Sequence, residues 1–171
     1  MRLGIISDTH GRLDSLVLEI FQGVDRILHA GDVGGREILD ELQGLAPVTT
    51  VLGNTDGFPL ASSLKQTEIL QLEGESIALT HRIGSPAALS DDAMRIVQAH
   101  RPTMVVFGHT HAPFDRLVGG VRYVNPGAAG PRRFSLPRTV AVMEIAAGKP
   151  TRVRLVPLDK ASEAMLSGGS W

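Results

Sequence analysis

Short apolar runs alternate with amphipathic stretches along this chain, and the alternation predicts an α/β domain. Residues 3–7 read as a first strand. Leu13, Leu16, Val17, Ile20 and Phe21 then recur at helical spacing, predicting a helix over residues 13–22 that packs on a sheet and stops at Gly23. Residues 26–30 read as a second strand. Ile38, Leu39 and Leu42 mark one face of a helix over residues 35–43, and Gly44 and Pro47 bracket its exit toward a third strand at 48–52.

The second half changes character. Residues 67–72 and 76–80, separated by Glu73-Gly74-Glu75, predict a hairpin, and Ser90 is placed to cap a helix over residues 91–100. Residues 103–107 and 121–125 are short runs of strand formers. Residues 139–145 and 152–157, joined across Gly148-Lys149-Pro150, predict a closing hairpin near a sheet edge that offers pairing to a second copy. With no repeat and no long linker, the expected organisation is a single domain over residues 1–159 and a loosely held tail over 160–171.

Composition narrows the chemistry. The 171 residues, 43% of them hydrophobic, suffice for one well-cored domain. A net charge of −1 from 17 basic and 18 acidic residues gives no field favouring nucleic acid or an anionic membrane, and only 4% of residues are aromatic. No stable nucleic acid complex is expected, and no membrane association. Cysteine is absent, which removes disulfides, thiolate metal sites and cysteine nucleophiles and fits the expected cytoplasmic location. The first apolar run is too short for a signal-peptide core.

Five of the predicted strands and turns end in metal-binding residue types: Asp8-Thr9-His10, Gly31-Asp32, Gly53-Asn54, His81 and Gly108-His109-Thr110-His111. The donors are carboxylate, amide oxygen and imidazole, a mixture that suits two divalent ions of manganese, iron, zinc, nickel or cobalt without selecting among them; manganese is the expected occupant. Asp8 and His10, two apart in extended backbone, would face the same side. Gly31 removes bulk beside Asp32, so that both oxygens of this carboxylate could reach two ions and make it the bridge. Two divalent ions, two carboxylates and one hydroxide leave a residual charge of about +1, which suits a phosphodiester monoanion. The expected reaction is hydrolysis of a phosphate ester by attack of a metal-bridging hydroxide.

The ordered blocks D-x-H, G-D, G-N-x-D, a lone His and G-H-x-H resemble the calcineurin-like metallophosphoesterase superfamily over about residues 1–145. Short length and the segment Asn125-Pro126-Gly127-Ala128 make the chain similar to the small prokaryotic phosphodiesterase branch. The resemblance implies a four-layer α/β/β/α sandwich of two mixed β-sheets flanked by helices. It also implies that Asp8, His10, Asp32 and His111 hold one ion, and Asp32, Asn54, His81 and His109 the other. Asp32, Asn54 and His109 are the implied catalytic residues, with Asn54 also touching phosphate and the Asn125 loop lying near the centre as a substrate contact. An alternative is a metal-binding interaction scaffold like the small subunit of the retromer coat, a lineage that has lost ligands retained here.

Two positions depart from the family pattern. Thr55 stands where many relatives carry a histidine that protonates the leaving group, and threonine is no acid near neutrality. Arg82 follows His81 where many relatives have glycine, and is either a guanidinium clamp for a small phosphate-ester substrate or a solvated loop residue. His29, just before the Gly31-Asp32 turn, is expected to be buried beside the centre and not a ligand. Asp56 either orients a ligand or serves its own turn.

Overall fold

In the computed structural model, which describes residues 1–133 and 135–168, the first half runs β1 (Arg2–Ile6), α1 (Ser15–Ile20), β2 (Arg26–His29), α2 (Arg36–Gln43) and β3 (Val48–Thr50). It continues with β4 (Thr67–Leu72), β5 (Glu75–Thr80), a small β6 (Gly84–Ser85) and β7 (Ala88–Leu89) hairpin, and α3 (Asp91–His100). The chain then forms β8 (Met104–Val106), β9 (Phe114–Val118), β10 (Val121–Asn125), β11 (Thr139–Glu144), β12 (Arg152–Pro157) and α4 (Lys160–Gly168).

Two mixed five-stranded sheets result, in the orders β12-β11-β1-β2-β3 and β4-β5-β8-β10-β9. Within the first, β1, β2 and β3 are parallel; within the second, β5, β8 and β10 are parallel. Side-chain alternation sets the layers. Leu3 and Ile5 of β1, Ile77 and Leu79 of β5, Met104 and Val106 of β8, and Ala141 and Met143 of β11 meet in a core between the sheets. Their alternate neighbours face outward: Ile6, Val140 and Val142 onto Val17, Phe21, Ile38 and Leu42 of the α1/α2 side, and Ala78 and Val105 onto Ala93 of α3. The sandwich is therefore α/β/β/α, as the sequence patterns and the resemblance lead one to expect. Among the described residues no helix is long and apolar enough to cross a membrane.

Several elements differ from expectation. The first helix begins only at Ser15, because Asp14 takes the N-cap position and accepts the Leu16 N–H at 3.1 Å. Strand β9 carries Asp115 and Arg116 within a short polar run; it is held by pairing with β10 and by the Asp115 carboxylate, which receives two bonds of 2.7 Å from Arg122. The tail expected to be loose is helical over Lys160–Gly168. Asp159 accepts the Ser162 N–H at 2.8 Å, and the buried Ser162 hydroxyl accepts the Arg138 N–H at 2.7 Å, which anchors the helix. Residues 169–171 of that tail lie outside the described residues.

Candidate metal centre

Every candidate ligand lies just past the C-terminal end of a strand: Asp8 and His10 after β1, Asp32 after β2, Asn54 after β3, His81 after β5, and His109 and His111 after β8. Since these strands run parallel within their sheets, their ends share one edge of the sandwich, where loops can converge. They do converge. One ligand atom each from Asp8, His10 and His111 lies within 4.8 Å of the others, and the same is true of Asp8, Asp32 and His81. His10 Nε2 is 3.4 Å from His111 Nε2, and His111 Nε2 is 3.3 Å from Asp8 Oδ1. His81 Nε2 is 3.1 Å from Asn54 Oδ1 and 3.5 Å from Asp32 Oδ2, while the His109 ring packs edge-on to that of His81 with centroids 5.2 Å apart.

The backbone route to this cluster is not the extended one expected for Asp8 and His10. Asp8, His10, Asp32, His109 and His111 have φ of 55°, 47°, 54°, 67° and 60°, left-handed values that are strained for residues with a Cβ. Among the described residues only Glu73 and Arg101 share this conformation without being glycine. Such strain gathers where surrounding contacts fix a functional geometry. The glycines serve the same closure. A Cβ on Gly31 (φ 90°) would lie 2.8 Å from His81 Nδ1, so Gly31 clears room for His81; it is Gly53 whose Cβ would collide with Asp32.

Neighbouring groups orient each ligand. Asp32 Oδ1 accepts the Thr55 N–H at 2.8 Å, so only Oδ2 faces both His81 and, at 3.8 Å, His10. Oδ2 is the Asp32 oxygen in salt-bridge range of both imidazoles. Asp8 Oδ2 accepts the His109 N–H at 3.1 Å. His81 Nδ1 lies 2.7 Å from the Ala30 carbonyl, which places the proton on Nδ1 and turns Nε2 into the site. Asp56 accepts the Gly34 and Gly53 N–H groups, both at 2.9 Å, and so ties the loop after β2 to the loop after β3. His29 is fully buried: Nδ1 accepts the Gly31 N–H at 3.2 Å and Nε2 donates to Thr9 Oγ1 at 3.0 Å, whose own hydroxyl donates to the Val33 carbonyl at 2.8 Å.

Asn125 departs from the expected substrate contact. It is fully buried, its amide donates to the Gly108 carbonyl at 2.9 Å and Thr110 Oγ1 at 3.1 Å, and its oxygen accepts the Gly127 N–H at 2.8 Å. Both amide hydrogens and the side-chain oxygen shape the loop that carries His109 and His111. Arg82 is exposed and lines a cleft of about 970 Å³ together with Asn54, His81, Gln66 and Arg95. Sequence reasoning passed over Thr9 and the Ala30 carbonyl, and left open the part played by Asp56. A backbone carbonyl has no residue-type signal at all.

Electrostatics mark the centre as short of positive charge. Burial of Asp32 opposes ionisation, yet the hydrogen bonds of His81 and Thr55 hold its carboxyl far below the usual range. Burial likewise disfavours a charged His81, but Asp32 and the Ala30 carbonyl outweigh it and raise the imidazole above its ordinary value. Burial lowers His10, and it lowers His109 with help from His81 and Arg82. Asp8 Oδ1 is buried without a hydrogen-bond partner, an arrangement that is costly unless a cation compensates it. Ligands about 2.1 Å from an ion at tetrahedral or octahedral angles sit about 3.0–3.4 Å apart. The spacings of 3.1, 3.3 and 3.4 Å fit that range, so the residues present suit divalent ions.

The profile of the calcineurin-like phosphoesterase superfamily domain matches residues 1–148. A probable metallophosphoesterase of Methanocaldococcus jannaschii is 30% identical over 168 residues, covering 94% of this chain and 83% of that protein. A phosphodiesterase of the same archaeon is 28% identical over 144 residues, covering 74% of this chain and 83% of its own length. Among solved structures, Vps29 of Entamoeba histolytica complexed with zinc superposes with a TM-score of 0.72 at 21% identity, covering 93% of this chain and 100% of that one.

Proposed function

The chain belongs to the calcineurin-like phosphoesterase superfamily, and on that footing we propose that it hydrolyses phosphate esters, phosphodiesters foremost, at a centre for two divalent ions. The supporting observation is the convergence of two carboxylates, four imidazoles and one amide at one sandwich edge, with Asp8 Oδ1 buried and lacking a hydrogen bond. In this reading Asp8, His10, Asp32 and His111 would hold one ion and Asp32, Asn54, His81 and His109 the other. Two bound ions would supply an activated water and neutralise charge on the phosphoryl oxygens.

The protein's own groups do the rest. Asp8, Asp32, His81 and His111 are buried, whereas Asn54 and His109 are exposed, so the centre opens on the side of the Arg82 cleft and substrate enters there. Asn54 and Arg82 meet the incoming phosphate, Arg82 as a guanidinium clamp. Arg82→Ala is expected to raise KM for anionic esters while kcat stays near the parent value; unchanged kinetics would reject the clamp. Thr55 donates no proton to a leaving group, so aryl esters should react much faster than alkyl esters. A rate independent of leaving-group pKa would contradict that.

The deciding experiment is hydrolysis of bis-aryl and mono-aryl phosphates with added Mn²⁺, run beside Asp32→Ala and His109→Ala with bound metal quantified. Both substitutions are expected to lower kcat/KM more than about 100-fold, beyond what loss of a merely orienting group does. Activity insensitive to both would remove the mechanism. The likeness to Vps29 is one of fold; metal binding without hydrolysis of either ester would turn the reading toward an interaction scaffold.

A further inference from the structure

Thr55 occupies a place with two contacts to the centre. Its backbone N–H bonds Asp32 Oδ1 at 2.8 Å, and its hydroxyl oxygen lies 3.3 Å from His10 Nδ1. His10 turns its other nitrogen inward, Nε2 being 3.4 Å from His111 Nε2 and 3.8 Å from Asp32 Oδ2. An imidazole that offers a lone pair through Nε2 must keep its proton on Nδ1, and the acceptor at Nδ1 fixes both tautomer and ring rotation. His81 receives this service from the Ala30 carbonyl at 2.7 Å. For His10, the Thr55 hydroxyl is the Nδ1 partner among the described residues.

We propose that Thr55 is a positioning residue: its hydroxyl accepts the Nδ1 proton of His10, so that Nε2 faces the metal centre, while its N–H holds Asp32. The proposal rests on the metal-centre reading and changes the chemistry of this position from delivery of a proton to alignment of a ligand. One side chain and one amide thereby link the loops after β1, β2 and β3. A hydroxyl suits the task because it accepts from Nδ1 and can still donate to the Asp32 carboxylate. A methyl in its place would leave Nδ1 without a partner and the ring free to rotate.

Thr55→Val removes the hydroxyl but keeps shape and backbone N–H; Thr55→Ser keeps the hydroxyl. In the metal-free protein at mildly alkaline pH, long-range proton–nitrogen imidazole spectra should show the Nδ1–H tautomer of His10 in the parent and in Thr55→Ser, and a mixture in Thr55→Val. Calorimetric titration with Mn²⁺, repeated with Zn²⁺, should show one of two binding steps weakened about 10–100-fold in Thr55→Val and restored in Thr55→Ser, with equal urea midpoints for all three. A Thr55→Val protein that keeps the Nδ1–H tautomer and both binding steps overturns the proposal. A parent protein that binds neither ion, yet switches tautomer with the residue at 55, upholds the Thr55 contact and removes the metal centre.

Discussion

His10 sits at φ 47°, where a residue with a Cβ is strained by about 1–2 kcal/mol and glycine is not. His10→Gly is therefore expected to leave the metal-free protein as stable as the parent, or up to about 1 kcal/mol more stable, while metal binding falls sharply. Urea unfolding in excess chelator measures this, and a loss of 2 kcal/mol or more would show that the strain reading is mistaken. His29 gives a second expectation. Burial lowers its pKa from 6.5 to about 4, so as pH falls below 6.5 the unfolded chain takes up the proton first. The stabilisation is complete above pH 6.5 and lost as pH falls toward about 4, by roughly 3 kcal/mol at about 1.36 kcal/mol per unit. His29→Gln should flatten that decline in chelated protein; an unchanged slope would assign it to other groups. The convergence of the seven candidate ligands was legible because metal chemistry restricts residue type, and the strand-end spacing placed them. The groups that aim them were not, because Thr55 meets His10 and Ala30 meets His81 across long stretches of chain that no local pattern records.

At the scale of elements, the site depends on strands that end without side-chain bulk. A Cβ on Gly108, directly after β8, would overlap Ser7 Oγ and lie 2.9 Å from Asp8 Oδ2. Gly108→Ala is expected to destabilise the protein by about 2 kcal/mol or more and to lower bound Mn²⁺, because the loops after β1 and β8 can no longer close. Thermal unfolding with metal analysis tests it, and a variant with parental Tm and metal content would refute the closure. The parallel strands and α3 were legible, since buried strands read as apolar runs and Ser90 caps α3 through the Ala93 N–H at 3.3 Å. Strand β9 and helix α4 were not: one lies at a sheet edge with Leu117 72% exposed, and the other is anchored by a single buried serine.

For the whole molecule, the candidate ligands come from the ends of both sheets, which also meet through an apolar core and through the Arg122–Thr151 and Thr151–Glu75 bonds at 2.6 and 2.8 Å. Ions bound there should stabilise the sandwich by mass action, raising Tm by about 5–10 °C at a hundredfold excess over Kd. Chelator should reverse the shift and Asp32→Ala abolish it; equal Tm with and without Mn²⁺ would count against the ions bridging the sheets. The order of the strands carries a consequence for biosynthesis. Strand β11 lies between β1 and β12, and the Ala129 and Gly130 N–H groups grip the Ser7 and Asp8 carbonyls at 3.0 and 3.1 Å. A nascent chain that has emerged only through His111 holds every candidate donor, yet its first strand is still an open edge and the Ser7 and Asp8 carbonyls are unclasped. On the metal-centre reading, ion capture is therefore expected late in the life of the polypeptide, and a chain stalled before residue 139 is expected to expose the unpaired side of β1.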